Sequence, residues 1–420
     1  VQPPDGNHLE ESGGDGGMRY TIGQLAEIID GDRGKNYPKQ DEFYPQGYCL
    51  FLNTGNVTKE GLIFEENQFI MKEKDEALRK GKLKRGDIVY TTRGTVGNAG
   101  YYNSSVPYEN VRINSGMVIL RSNGEIVDAR FLYQILKSEY YRPYFKQYCT
   151  GSAQPQLPIK NFSQIYLNVP DIKTQHRIAD ILSVYDDLIE NNQRQIKLLE
   201  EAAQRLYKEW FVNLRFPGHE NTKIVDGVPE GWQWCKVRDV ADINSSALPK
   251  NYKEDFIDYV DLGSVRCGHI ETRTRYNLNE APGRAKRCAK DGDIIWGMVR
   301  PNLKAYALVT NPKETDVFST GFAVLSAKKV PYSYLYCAVT QEEFVGYLVN
   351  ATNGAAYPAV KPVHFEVADI LKPDDKVLEQ FHSVADSIYR KKEALENQNH
   401  NLRESRDLIL PKLMSGEVEV

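Results

Sequence analysis

The sequence predicts an α+β protein: two similar mixed α/β domains separated by two long antiparallel coiled-coil helices, related as a pseudo-two-fold internal repeat. Three observations lead there. Short apolar runs bounded by turn residues recur in the same order in both halves of the chain. Each half then ends in a long stretch whose apolar residues alternate in steps of three and four. The matched pieces sit at a nearly constant offset.

The repeat opens with Ile22-Gly-Gln-Leu25-Ala26-Glu27-Ile28, answered by Val237-Arg-Asp-Val240-Ala241-Asp242-Ile243. Leu52-Asn-Thr-Gly55 is answered by Val260-Asp-Leu-Gly263, and Arg85-Gly86-Asp87-Ile88-Val89 by Asp291-Gly292-Asp293-Ile294-Ile295. Gly116-Met-Val-Ile-Leu120 matches Gly321-Phe-Ala-Val-Leu325. Gly151-Ser-Ala-Gln154-Pro155 matches Gly354-Ala-Ala-Tyr357-Pro358, and Ala179-Asp180 matches Ala385-Asp386. Gly-Asp-Ile alone is a common turn-to-strand signal; six matches in one order are a duplication.

Within each repeat, runs such as Ile88-Val-Tyr90, Met117-Val-Ile-Leu120 and Ile294-Ile-Trp296 predict strands, and Ala129–Ser138 and Tyr332–Val339 predict helices. The long helices follow Pro170-Asp171 and Pro373-Asp374, an entry signal. Their seams are expected at Ile181, Leu188, Asn192, Leu199 and Leu206, and at Ile388, Leu395, Gln398, Leu402 and Ile409. Polar centres, Glu190-Asn191-Asn192-Gln193 and Glu396-Asn397-Gln398-Asn399, interrupt both seams, where a polar residue fixes register and partner. The alternative is an amphipathic helix lying on its own domain. Residues 174–208 make a rod of about 50 Å at 1.5 Å per residue. The predicted organisation is 1–17 as a disordered or non-native extension, 18–170 and 217–372 as the two domains, and 171–216 and 373–420 as the helices.

Composition narrows the class. Over 420 residues, 41% are hydrophobic and 26% charged, a mixture suited to globular domains. No apolar run is long enough for a membrane-spanning helix, and the six scattered cysteines form no C-x-x-C pair, so a cytoplasmic protein is expected. Net charge is −4, but residues 18–170 carry 20 bases against 16 acids, so local patches can hold phosphate. Two similar but non-identical heads on a stiff rod suit an asymmetric, bipartite double-stranded DNA target with an unread gap.

The sequence also resembles the specificity subunits of type I restriction–modification systems from Met18 onward. The resemblance rests on Leu83-Lys-Arg-Gly86-Asp87-Ile88-Val89 and Lys290-Asp-Gly292-Asp293-Ile294-Ile295, on Gly151-Ser-Ala-Gln154-Pro-Gln-Leu157 and on Gln175-His-Arg-Ile-Ala-Asp-Ile-Leu182. Val228-Pro-Glu-Gly231-Trp232 and Leu410-Pro-Lys-Leu413-Met-Ser-Gly416-Glu complete it. It implies two target-recognition domains, each reading one half-site, and two conserved spacer helices that dock partners. It implies no catalysis by this chain. Two modification subunits, using S-adenosylmethionine, would methylate adenine N6; two restriction subunits, using ATP and Mg, would translocate and cleave DNA. The sequence agrees in lacking an Asn/Asp-Pro-Pro-Tyr/Phe methylation motif and a G-x-x-x-x-G-K-[ST] phosphate loop.

Candidate DNA contacts follow from side-chain chemistry, arginine for guanine, amides for adenine, and lysine or hydroxyls for phosphate. They are Arg93, Thr95 and Asn98 in a glycine-rich loop, with Arg300, Asn302 and Lys304 as counterparts. Basic runs add Arg79, Lys80, Lys82 and Lys84, and Arg273, Arg275 and Arg284; such runs are also ordinary solvated faces. Gln154 and Tyr357 occupy matched places in a small-residue loop. No metal site is expected, since Cys267-Gly-His269 with Cys288 fits no compact zinc spacing. Two rival readings remain: an enzyme with unfamiliar motifs, and a bivalent protein scaffold that never touches DNA.

Overall fold

The computed structural model describes residues 17–64, 66–151, 154–352 and 358–419, so the expectation for residues 1–17 falls almost wholly outside the described residues. Two compact units form: unit 1 from the first part of the chain to Glu190 together with Asn399 onward, and unit 2 from Asn191 to Gln398. Among the helices are α1 (Ala129–Lys137), α2 (Ile172–Tyr207), α3 (Tyr332–Val339) and α4 (Asp375–Met414). The unit boundaries cut through α2 and α4, so the expected helical segments 171–216 and 373–420 are shared out, half of each to each unit.

In unit 1, strands β1 (Ala26–Asp30), β2 (Ile88–Thr91), β3 (Ala99–Tyr101) and β4 (Met117–Ser122) form an antiparallel sheet in the order β1-β4-β2-β3. In unit 2, β5 (Ala241–Ile243), β6 (Ile294–Gly297), β7 (Tyr306–Leu308) and β8 (Phe322–Ala327) repeat it as β5-β8-β6-β7. A second sheet also recurs. In unit 1, Cys49–Leu52 runs parallel to Val111–Ile113; in unit 2, Phe256–Val260 runs parallel to Asp316–Ser319. The duplication read from scattered matches is therefore a duplication of topology.

The central strands are buried on both faces, which is why they read as continuous apolar runs rather than alternating ones. Ile88, Tyr90, Val118 and Leu120 pack against α1 through Phe131, Leu132 and Ile135, whereas Val89, Met117 and Ile119 face a second core. Ile294, Trp296, Ala323 and Leu325 meet Tyr334, Leu335 and Val339 of α3 in the same way, with Ile295, Phe322 and Val324 on the other side. The turn before β2 needs glycine, since Gly86 adopts φ 92°, and Gly292 before β6 adopts φ 82°. The following aspartates close that turn: Asp87 accepts from the Lys84 amide at 2.7 Å and Asp293 from the Lys290 amide at 2.9 Å.

Asp171 and Asp374 accept backbone N–H bonds from Lys173 and Val377, capping the long helices where the proline–aspartate pairs placed their starts. The strict three–four seam runs through Ile178, Leu182, Ile189, Asn192, Ile196 and Ala203 of α2, all buried. In α4 it runs through Phe381, Ala385, Lys392, Leu395, Asn399, Leu410 and Leu413. Two expected seam residues are corrected. Leu188 is 42% exposed, because Ile189, one position on, takes the buried place. Gln398 is exposed and Asn399 takes its place, although Gln398 still accepts a hydrogen bond from Asn192 at 3.2 Å. Ile181, Leu199, Leu206, Ile388, Leu402 and Ile409 are half-buried along the seam.

Within each unit the helices are antiparallel. In unit 1, Ile178 and Leu182 share a core with Leu410 and Leu413, and Asp186 meets Arg406. In unit 2, Ala203 and Tyr207 share a core with Phe381, Ala385 and Tyr389, and Glu200 meets Lys392.

Candidate nucleic-acid interface

The loop after β2 is anchored from two sides. The amides of Thr92 and Arg93 both donate to the Gly116 carbonyl, at 2.9 and 3.1 Å, and the Leu157 amide donates to Thr92 O at 2.9 Å. Thr150 and Gln156 exchange backbone hydrogen bonds of 2.7 and 2.9 Å, and Gln156 pairs with Arg93. Unit 1 thus brings the expected loops together, with Arg93, Thr95 and Gln154 all exposed.

Unit 2 repeats the anchoring. Met298 N donates to Gly321 O, Val360 N donates to Met298 O, and Val299 pairs with Ala359. This pairing matches Val299, rather than Arg300, with Arg93; Arg300 corresponds to Gly94. Gly94 adopts φ 72°, and Arg300 adopts φ 50°, as does Lys304 at φ 53°. Non-glycine residues in the left-handed region are costly and collect at working sites. Here the Arg300 amide is held by Pro358 O at 2.8 Å, and the Arg300 and Asn302 side chains are exposed. Tyr357 lies outside the described residues.

Several candidates prove to be structural. Asn98 is 9% exposed, and its amide donates to the Val57 carbonyl at 2.9 Å, tying the loop to a hairpin rather than facing outward. Lys82 binds the buried Asp75 at 2.5 Å, and Arg112 binds the same carboxylate from the other side. Burial works against the Asp75 charge, but these two cations hold its carboxyl below the usual range. Arg275 grips Asp258 through two bonds of 2.9 and 3.1 Å and stacks over Phe256 at 4.0 Å. Arg273 pairs with the buried Asp316 at 3.1 Å, and Lys304 with Glu342 at 2.6 Å. These cations already have their counter-charges. Arg79, Lys80, Lys84 and Arg284 remain exposed, and Arg79 and Lys80 border a shallow cleft with Arg33 and Asp32. The two ring nitrogens of His269 face Glu200 at 3.3 Å and Glu396 at 2.8 Å.

Sequence reasoning missed the charged clusters along the helices. In unit 1, Asp186 receives Lys137 at 2.6 Å, Arg406 at 2.9 Å and Gln134 at 2.6 Å. Burial pushes the Lys137 ammonium down to about 8, and Asp186 opposes it. In unit 2, Lys392 lies 3.1 Å from Glu200 and 3.3 Å from Glu396. Burial disfavours the His269 cation, but the two carboxylates outweigh it and raise its pKa to about 9. The available signal was charge at seam spacing, Lys392 and Arg406 falling where an apolar residue is expected.

The fold defines a two-unit, duplicated protein in which the loops after β2 and β6 are anchored in the same way. Residues 16–201 match the type I restriction modification DNA specificity domain. The chain is 25% identical over 360 residues to the type I restriction enzyme MjaIX specificity subunit of Methanocaldococcus jannaschii, covering 82% of this chain and 81% of that protein. It is 23% identical over 456 residues to the HindI specificity subunit of Haemophilus influenzae, covering 92% and 98%. The crystal structure of the type I restriction–modification S subunit from M. genitalium shares the fold, with TM-score 0.52 and 14% identity over 98% of this chain and 99% of that one. Residues 16–201 thus carry a match to the specificity domain, and along most of its length the chain is similar to type I restriction enzyme specificity subunits. Among the described residues, no helix is long and apolar enough to cross a membrane.

Proposed function

We propose that the chain reads an asymmetric, bipartite double-stranded DNA target, one half-site per unit, as the non-catalytic cytoplasmic subunit of a methylating and cleaving complex. The observation that carries this is the recurrence of one anchored loop pair, built on Gly116 and Gly321, with different exposed groups in each unit. Arg93 and Gln154 on one, and Arg300 and Asn302 on the other, have the chemistry of guanine and adenine readout. Arg79, Lys80, Lys84 and Arg284 supply phosphate contacts, which fix register without reading sequence. Domains 18–170 and 217–372 read, while helices 171–216 and 373–420 set the unread gap. The helices dock two modification subunits, which carry S-adenosylmethionine, and two restriction subunits, which carry ATP and Mg.

Mapping methylated adenines in cells carrying this chain and its partners tests the reading: two short fixed tracts flanking a gap of constant length are expected. Exchanging residues 18–170 for those of another specificity subunit is expected to change one tract only. Methyl transfer by the purified chain alone, or a change in both tracts, overturns it.

A further inference from the structure

The ion pairs that lock α2 to α4 have opposite polarity in the two units. The repeat aligns Ala179-Asp180 with Ala385-Asp386 and Glu190-Asn191 with Glu396-Asn397. In that alignment Asp186 corresponds to Lys392, and Glu200 to Arg406. Unit 1 pairs Asp186 with Arg406 at 2.9 Å; unit 2 pairs Glu200 with Lys392 at 3.1 Å. The same two positions are bonded twice, but the acid and the base have changed places. As a result, α2 carries both acids and α4 carries both bases.

We infer that this inversion selects each helix's partner: α2 fits a helix of α4's charge pattern and rejects α2 of a second copy, and α4 likewise rejects itself. Self-pairing in the same antiparallel register sets Asp186 against Glu200 beside Lys137. It sets Lys392 against Arg406, where His269 adds a third cation opposite Glu396 and Asp407. Lys137, Lys392 and Arg406 are largely withdrawn from water, with side chains 7%, 7% and 13% exposed, so solvent cannot screen the mismatch. Charges at helix seams are an established route to choosing one partner over another. The inference concerns pairing between chains and stands whether or not the loops read DNA.

The test uses the folded full-length protein with a protease site in the exposed turn at Pro217 and Gly218. Cutting there leaves two pieces held together without a covalent link. After dissociation in urea and refolding together, native mass spectrometry counts pairs; joint synthesis of the pieces in one cell gives the same readout. Unlike pairs are expected to exceed like pairs at least tenfold, and equal proportions overturn the inference. Neutralising the code with Asp186→Asn, Glu200→Gln, Lys392→Gln and Arg406→Gln is expected to raise like pairs at least tenfold. A second variant, Asp186→Arg with Arg406→Asp and Lys137→Met, keeps opposite signs in the native pairing and makes self-pairing attractive. Like pairs are expected there too; strict one-to-one pairing of unlike pieces in both variants overturns the inference.

Discussion

The two outward loops solve one backbone problem in different ways. In unit 1 the turn after β2 uses Gly94 and Gly97, at φ 72° and 101°, where a missing side chain makes the left-handed conformation inexpensive. In unit 2 the corresponding turn forces Arg300 and Lys304 into that region. The contrast teaches that the anchoring, carried by the carbonyls of Gly116 and Gly321, is the shared part, and that what sits in the turn is free to differ. Unit 2 accepts strain to present a cation, whereas unit 1 presents Arg93 from a relaxed position one residue earlier.

The sharpest break between the units lies at the helix clusters. Asp186→Ala leaves the buried Lys137 without its counter-charge and Arg406 with Asp407 alone, and is expected to cost about 3–5 kcal/mol in urea unfolding. Glu200→Ala is expected to cost about 1–3 kcal/mol, because Glu396 still neutralises Lys392 and His269. Equal losses would show that the two clusters do not differ as their partners imply.

Next comes the Asn98 anchor. Asn98→Ala removes the donor to Val57 O and leaves that carbonyl buried, for a loss of about 1–3 kcal/mol. Methylated-site sequences are expected to stay unchanged, which separates Asn98 from Arg93. Smaller effects test the turn itself. Gly94→Ala is expected to cost about 1 kcal/mol from its φ alone, since the nearest atom to an added Cβ is 3.9 Å away. Arg300→Gly is expected to stabilise by about 1 kcal/mol and, on the proposed reading, to weaken DNA contact by unit 2.

The subtlest difference appears with pH. His269 is raised from 6.5 to about 9, so its contribution is complete below 6.5 and fades as pH rises to 9. Lys137 is lowered from 10.5 to about 8, so its burial penalty is complete below 8 and is relieved between 8 and 10.5. Hydrogen exchange across pH 7 to 9 is therefore expected to show unit 2 losing protection around residues 265–270 while residues 129–137 hold. Parallel losses in both segments would refute that assignment.

The sequence disclosed the duplication because its turns and buried strands are constrained locally. Gly86-Asp87 and Gly292-Asp293 are needed for one turn geometry, and the runs after them are buried on both faces. The helix starts were equally legible from Asp171 and Asp374. The seam was misread by one residue at Leu188 and Gln398, since Leu188-Ile189 offers two apolar neighbours and only packing chooses between them. The basic runs were less informative. A lysine or arginine in the sequence does not reveal its partner, and Asp75, Asp258 and Asp316 lie 7, 17 and 43 residues from the cations they neutralise.

The division of α2 and α4 between the units also orders events at the ribosome. Everything in unit 2 emerges before Asn399, whereas the sheet and α1 of unit 1 wait for the final stretch holding Arg406, Leu410 and Leu413. Until translation delivers it, Ile178 and Leu182 lack the apolar partners Leu410 and Leu413 that share their core. The half made first is the half completed last.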